Sequence, residues 1–225
     1  MKSPAKIQLT KGAITKASIL DKARIVYNEH GLNLKIDEIV KYIGCHKSNL
    51  TNHFPNKEKL IQAIAMQYDA EVTRIIVELD FGKAESIEDF VLFYNKLMDL
   101  QYEYRSAILY TINSFFTEVE YKKEVSDSYH IRLKMFEEQL ASLHQKGILN
   151  DALFEKDALE VFIVQYFTVS IHWLSFYEMY DFQHSYNSKK EKFLKSIFNL
   201  YLPYLTKKGK TAFDKIDFKA IVKKK

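Results

Sequence analysis

One short run, Ile36 to Lys59, constrains this chain more than any other. It reads IDEIVKYI, GC, HKSNLTNHF and PNKEK in succession. Ile39, Val40 and Ile43 recur at the spacing that puts apolar side chains on one face of a helix. Gly44 follows, where a tight turn between two helices favours a residue without a Cβ. In the next segment Leu50 and Phe54 point inward, which leaves His46, Lys47, Ser48, Asn49, Thr51, Asn52 and His53 free. Pro55-Asn56 then interrupts the chain, and Asn56 is suited to cap a helix beginning at Lys57. The pattern is that of a helix-turn-helix. Its second helix offers hydrogen-bond donors and acceptors of little bulk and one cation, which is what reading base edges in a DNA major groove requires.

The charge distribution agrees. Residues 1–60 carry 11 Lys/Arg against 5 Asp/Glu, residues 61–188 carry 10 against 21, and residues 189–225 carry 12 against 3. A basic head on an acidic body suits a protein that meets phosphate with its N-terminal part. The basic C-terminal end reads as a solvated tail or as a second polyanion contact, the tail being the plainer reading. With only 6 Gly and 3 Pro in 225 residues, long helices are favoured over a turn-rich β fold. A single cysteine, Cys45, forms no internal disulfide and fits a reducing cytoplasm. The N-terminus has no apolar run of signal-peptide length, so a cytoplasmic protein is expected. Val161 to Tyr177 has the length of a membrane span, but Gln165 and His172 interrupt it, and a packed helix is the expectation, with no membrane partner.

Taken in order, residues 1–14 read as a basic arm and 15–30 as a helix closed by Gly31. A long helix follows from Lys57 to about residue 80. Ser86 and Asp89 form a capping box for a helix to about residue 103. Further helices are expected at about 105–117, 122–146, 154–180 and 188–205, the last bent or ended by Pro203. Within 154–180, Leu159, Phe162, Tyr166, Val169, Trp173, Phe176 and Tyr180 step alternately by three and four. The opposite side is apolar as well, so this helix is expected to have two partners, the domain's own core and a second subunit.

Helix, helix-turn-helix, then Phe-Pro-Asn-Lys-Glu-Lys-Leu resembles the N-terminal domain of the tetracycline-repressor (TetR) family. The matching residues are Ala23, Gly31, Ile39, Gly44, Leu50, His53, Phe54, Asn56, Lys57, Glu58 and Leu60, and the match covers about residues 15–62. Val40, His46, Thr51 and Lys35 depart from the family's usual small, hydroxyl, tyrosine and capping residues. The resemblance implies an all-α homodimer that represses transcription from a palindromic operator and is released by a small molecule. It implies a DNA-binding domain over 1–55 and a ligand-binding and dimerisation domain over 56–225. By the same resemblance, Lys47, Ser48, Asn49, Asn52 and His53 face the groove, and Thr51 and Lys57 face phosphate; His46 is a further candidate for DNA contact.

The second half is rich in tyrosine and phenylalanine. Tyr102, Tyr110, Phe116, Tyr166, His172 and Trp173 are candidates to line a cavity for an apolar or aromatic ligand. Val169, Trp173, Phe176, Phe193, Ile197 and Leu200 are candidates for the dimer interface. His46 and His53 lie two turns apart with no acid beside them, and although Cys45 precedes His46, DNA contact or packing is expected of them and no metal. No Glu-x-x-His pair, phosphate-binding glycine loop or nucleophile motif occurs, so neither an enzyme nor a cofactor is expected. The competing reading is a helical ligand- or partner-binding protein whose head no longer reads specific DNA.

Overall fold

The computed structural model describes residues 10–79, 84–113, 119–155 and 157–223. Among them the chain is helical and holds no β-strand, as an all-α protein should. It divides into two compact units: Met1–Asp69 with Glu103–Thr117, and Ala70–Tyr102 with Glu118–Lys225.

In the first unit, α1 (Lys11–His30) begins four residues before the expected Thr15. Thr10 causes the early start: its hydroxyl oxygen accepts from the Ala13 amide at 3.2 Å, an N-terminal cap. Residues 1–9 of the expected arm lie outside the described residues. Next come α2 (Ile36–Ile43), α3 (Lys47–His53) and the first part of α4 (Lys57–Glu78), whose residues from Ala70 on belong to the second unit. A later helix, α6 (Arg105–Ile112), completes this unit after α5 (Ile87–Glu103). The end of α1 is fastened to the start of α6. Asn28 Nδ2 donates to the Glu103 carbonyl at 2.6 Å, the Arg105 guanidinium donates to the Asn28 carbonyl at 2.7 Å, and Ser106 Oγ donates to the Tyr27 carbonyl at 2.9 Å. The Asn28 carbonyl at the end of α1 thus finds its partner in α6, and the Tyr27 carbonyl, which accepts from the Gly31 amide at 3.0 Å, takes a second donor there.

The second unit contains most of α5, then α7 (Val119–Gln145), α8 (Ala158–Phe176) and α9 (Tyr186–Phe198). The predicted capping box is present: Ser86 N donates to Asp89 Oδ2 at 2.9 Å, and Asp89 N donates to Ser86 Oγ at 3.2 Å. The helix expected over 154–180 is shorter, ending in a π turn at Tyr177–Asp181. The one expected over 188–205 tightens into 3₁₀ geometry at Asn199–Tyr204, around Pro203.

Aromatic rings fill this unit. Phe136 stacks on Tyr166 with centroids 4.3 Å apart, and Phe162 meets Tyr201 edge-on at 5.0 Å. Trp173 Nε1 donates to Gln101 Oε1 at 2.8 Å, and Gln101 in turn donates to the Ser170 carbonyl at 3.2 Å. The segment Ala158–Asp181 is long and apolar enough to cross a membrane by length and composition alone. Its Phe162, Tyr166, Trp173 and Leu174 are nevertheless committed to the core.

The basic C-terminus is not a solvated tail. It folds as α10 (Lys207–Phe213) and α11 (Phe218–Lys223), and Phe213, Phe218 and Ile221 are buried. Thr206 secures the start of α10 by donating its hydroxyl to the Gly147 carbonyl at 2.6 Å and accepting from Gly209 N at 3.0 Å.

Candidate nucleic-acid interface

The helix-turn-helix is built as its sequence dictates. Ile39, Ile43, Leu50 and Phe54 are buried, so α2 and α3 close on α1 through the apolar positions of both segments. Gly44 makes the turn in the left-handed region, at φ 68° and ψ 43°. A Cβ there would meet nothing within 4 Å, so Gly44→Ala should cost only the backbone strain of an L-residue, about 1–2 kcal/mol. That predicts a midpoint a few degrees lower in thermal unfolding, with helix content retained; an unchanged midpoint would contradict it.

One contact braces the turn. Lys22 Nζ donates to the Ile43 carbonyl at 3.2 Å, tying α1 to the end of α2. At the other end of α2, Lys35 offers no side-chain cap, but its amide donates to Glu38 Oε2 at 2.8 Å. Glu38 therefore supplies capping that Lys35, in place of the family's usual Ser or Thr, does not. Asn56 Oδ1 accepts from Lys59 N at 2.8 Å and caps α4 as expected.

The expected reading residues fall into two groups. His46, Lys47, Ser48, Asn49 and Asn52 are exposed along α3, whereas Thr51, His53 and Lys57 are half-buried. The Thr51 hydroxyl donates to the Lys47 carbonyl of its own helix at 3.1 Å. That bond engages its proton inside α3. Cys45 in the turn is half-buried, and burial pushes its thiol above the ordinary value against an opposing effect of Lys22, which disfavours the reactive thiolate. Among the described residues, no three His, Cys, Asp or Glu side chains gather where they could hold a metal.

Sequence reasoning missed Asp37. Its carboxylate pairs with Lys47 Nζ at 2.8 Å, on the exposed side of the motif. It also missed Tyr42, an exposed ring stacked on His30 with centroids 4.2 Å apart. Neither contact joins residues at a helical spacing, so periodicity carried no signal for them.

Of the expected ligand-lining residues, Tyr102 and Trp173 come together on the Tyr186 ring, with centroids 4.2 and 5.7 Å from it. Tyr110 lies in the first unit, and Tyr102, Tyr166, His172 and Trp173 lie in the second. Phe116 lies outside the described residues. His172 is exposed on the outer side of α8. The expected dimer residues need correcting too. Trp173, Phe193 and Ile197 are buried in the chain's own core, and Val169 and Leu200 are half-buried. Of the six, Phe176 alone is exposed. The apolar surface lies instead on the other face of α8 and on the turn after it, at Val161, Val164, Phe176, Met179, Tyr180 and Phe182.

A helix-turn-helix head followed by a helical body is an architecture of bacterial transcription regulators. Two family profiles make the assignment specific: "Bacterial regulatory proteins, tetR family" matches residues 19–64, and the TetR "Bacterial transcriptional repressor" profile matches residues 67–213. The chain belongs to the TetR family. Among solved structures it is similar to a TetR-family transcriptional regulator from Marinobacter aquaeolei VT8, at 20% identity and TM-score 0.73, over 93% of this chain and 98% of that one. It is also similar to CprB from S. coelicolor A3(2), at 14% identity and TM-score 0.69, over 96% and 100%. A third is SmeT in complex with triclosan, at 13% identity and TM-score 0.61, over 86% and 93%. No curated protein matches the sequence significantly.

Proposed function

We propose that this protein is a cytoplasmic, homodimeric transcriptional repressor that reads a palindromic operator and is released from it by a small apolar or aromatic ligand. The observation that carries the reading is the exposed polar ridge of α3, His46, Lys47, Ser48, Asn49 and Asn52, presented by the helix-turn-helix of a TetR-family head. Asn49 and Asn52 have the paired donor and acceptor that suit adenine, and Lys47 suits guanine. Lys57, at the start of α4, contacts phosphate. The outer face of α8, with Val161, Val164 and Phe176, receives the second subunit, and two recognition helices then meet successive major grooves about 34–36 Å apart. The ligand is taken up among the aromatic side chains of the second unit and acts on the head through α4, with a coupling of order 1–3 kcal/mol. The chain acts as a regulator and not as an enzyme.

The test is selection of bound fragments from random DNA with the purified full-length protein at about physiological salt. Enrichment of a palindrome supports the reading, and Asn49→Ala should then weaken operator binding by about 1–3 kcal/mol and relax preference at one base position. Binding at low salt without any sequence preference, by a protein shown to be folded and dimeric, would favour the competing reading of a partner-binding protein with a degenerate head.

A further inference from the structure

An acidic residue on a surface that meets DNA is unfavourable for affinity and calls for a reason. Asp37 lies in the first turn of α2, and its Oδ1 sits 2.8 Å from Nζ of Lys47, the first residue of α3. Both side chains are more than half exposed, at 65% and 58%, so the pair adds little to folding stability. Its consequence is electrostatic. Wherever Lys47 reaches DNA, the Asp37 carboxylate arrives with it, and the net charge brought to the phosphates by the two together is close to zero.

We propose that Asp37 determines specificity in the reading head by withholding the Lys47 charge from arbitrary DNA. This inference rests on the DNA-reading role proposed above for Lys47. Non-specific binding is driven by cations that displace counterions from phosphates, and a lysine neutralised by its own carboxylate displaces none. At the operator the balance differs. The ammonium group has three donors, so one hydrogen bond can stay on Asp37 while others go to guanine O6 and N7. The carboxylate then fixes where Nζ points and favours that base over phosphate. Affinity for random sequence falls while affinity for the operator is kept, which raises the ratio between them. This is specificity gained by a repulsive element.

The experiment compares full-length protein, Asp37→Asn, Lys47→Ala and the double variant on operator DNA and on scrambled DNA across a salt series. Asparagine keeps the shape of the side chain and removes its charge. Asp37→Asn should tighten scrambled-DNA binding by roughly three- to tenfold and steepen its salt dependence by about 0.9 in log–log slope, the signature of one added phosphate contact. Operator affinity should change by less, so the ratio narrows. In the Lys47→Ala background Asp37→Asn should lose this effect. The inference is overturned if Asp37→Asn shifts both DNAs equally or neither, or if its effect survives without Lys47. If Lys47→Ala itself leaves operator and scrambled binding unchanged, the groove-facing role of Lys47 falls, and this inference falls with it.

Discussion

Replacing Gly209 with alanine is expected to lower the thermal midpoint of the second unit by about 6–12 °C. The cause is steric. A Cβ at Gly209 would lie 2.2 Å from the Ile148 carbonyl oxygen and 3.1 Å from its carbon, far inside van der Waals contact and against backbone, not a side chain that could swing away. The same carbonyl accepts from Thr206 N at 3.0 Å, so it cannot yield without loosening the bond that starts α10. Relief requires α10 to lift, which draws on the burial of Phe213 and on the Thr206 contacts with Gly147 and Gly209. Overpacking of this kind costs about 3 kcal/mol, and in a chain of this size each kcal/mol moves the midpoint by about 2–4 °C. Circular dichroism melts would measure it, and hydrogen exchange should show loss of protection first in α10 and α11. A midpoint within a degree of the parent would mean that the C-terminal helices are not bolted to the Gly147–Leu149 segment as described. Gly44 makes a contrast, since its space is open and only its positive φ resists a side chain.

The Gly209 contact shows where sequence reading stops. Local rules held well, because the groups concerned lie three or four residues apart: Asn56 caps α4, Ser86 and Asp89 cap α5, and Leu50 and Phe54 turn inward from α3. The exposed ridge of α3 was legible for the same reason. Choices that depend on a distant partner were not. The two sides of α8 are similarly apolar, so the pattern could not say which faces inward. The fold buries Phe162, Tyr166 and Trp173 and leaves Phe176 and Tyr180 outside. These last two sit at or beyond the end of regular α-helix, where the π turn at Tyr177–Asp181 shifts the helical phase. At the C-terminus, lysine density masked three apolar anchors, Phe213, Phe218 and Ile221, spaced too irregularly for one stripe. Asp37 and Lys47 meet only because of the angle between α2 and α3, which no spacing rule encodes.

The second large effect expected is alkaline unfolding of the second unit. Burial holds the phenols of Tyr166, Tyr186 and Tyr201 above their ordinary value of 10.0, with Tyr201 adding to the shift at Tyr166 and Asp99 to that at Tyr186. The folded state therefore keeps these protons at a pH where the unfolded chain releases them. Stability is intact below about pH 10 and falls as pH rises beyond it, by about 1.4 kcal/mol per tyrosine per pH unit. Three tyrosines acting together would remove about 4 kcal/mol at pH 11, a large share of the 5–15 kcal/mol typical of a domain. Lys190 acts with the opposite sign. Burial pushes its ammonium below the ordinary value while its bond to Asp99 pulls it back, so its penalty lessens with rising pH, but it is one group against three. Melts at pH 8, 10 and 11, followed by circular dichroism and by tyrosinate absorbance, would show both quantities. The midpoint should drop steeply above pH 10, and part of the tyrosinate signal should appear only with loss of helix. Tyr201→Phe sharpens the test. The Tyr201 hydroxyl is buried without a hydrogen-bond partner among the described residues, so removing it should leave stability at pH 8 unchanged or slightly higher. At pH 11 the variant should retain about 1.4 kcal/mol that the parent loses. A parent that stays helical with all of its tyrosines ionised would contradict the burial of these three phenols.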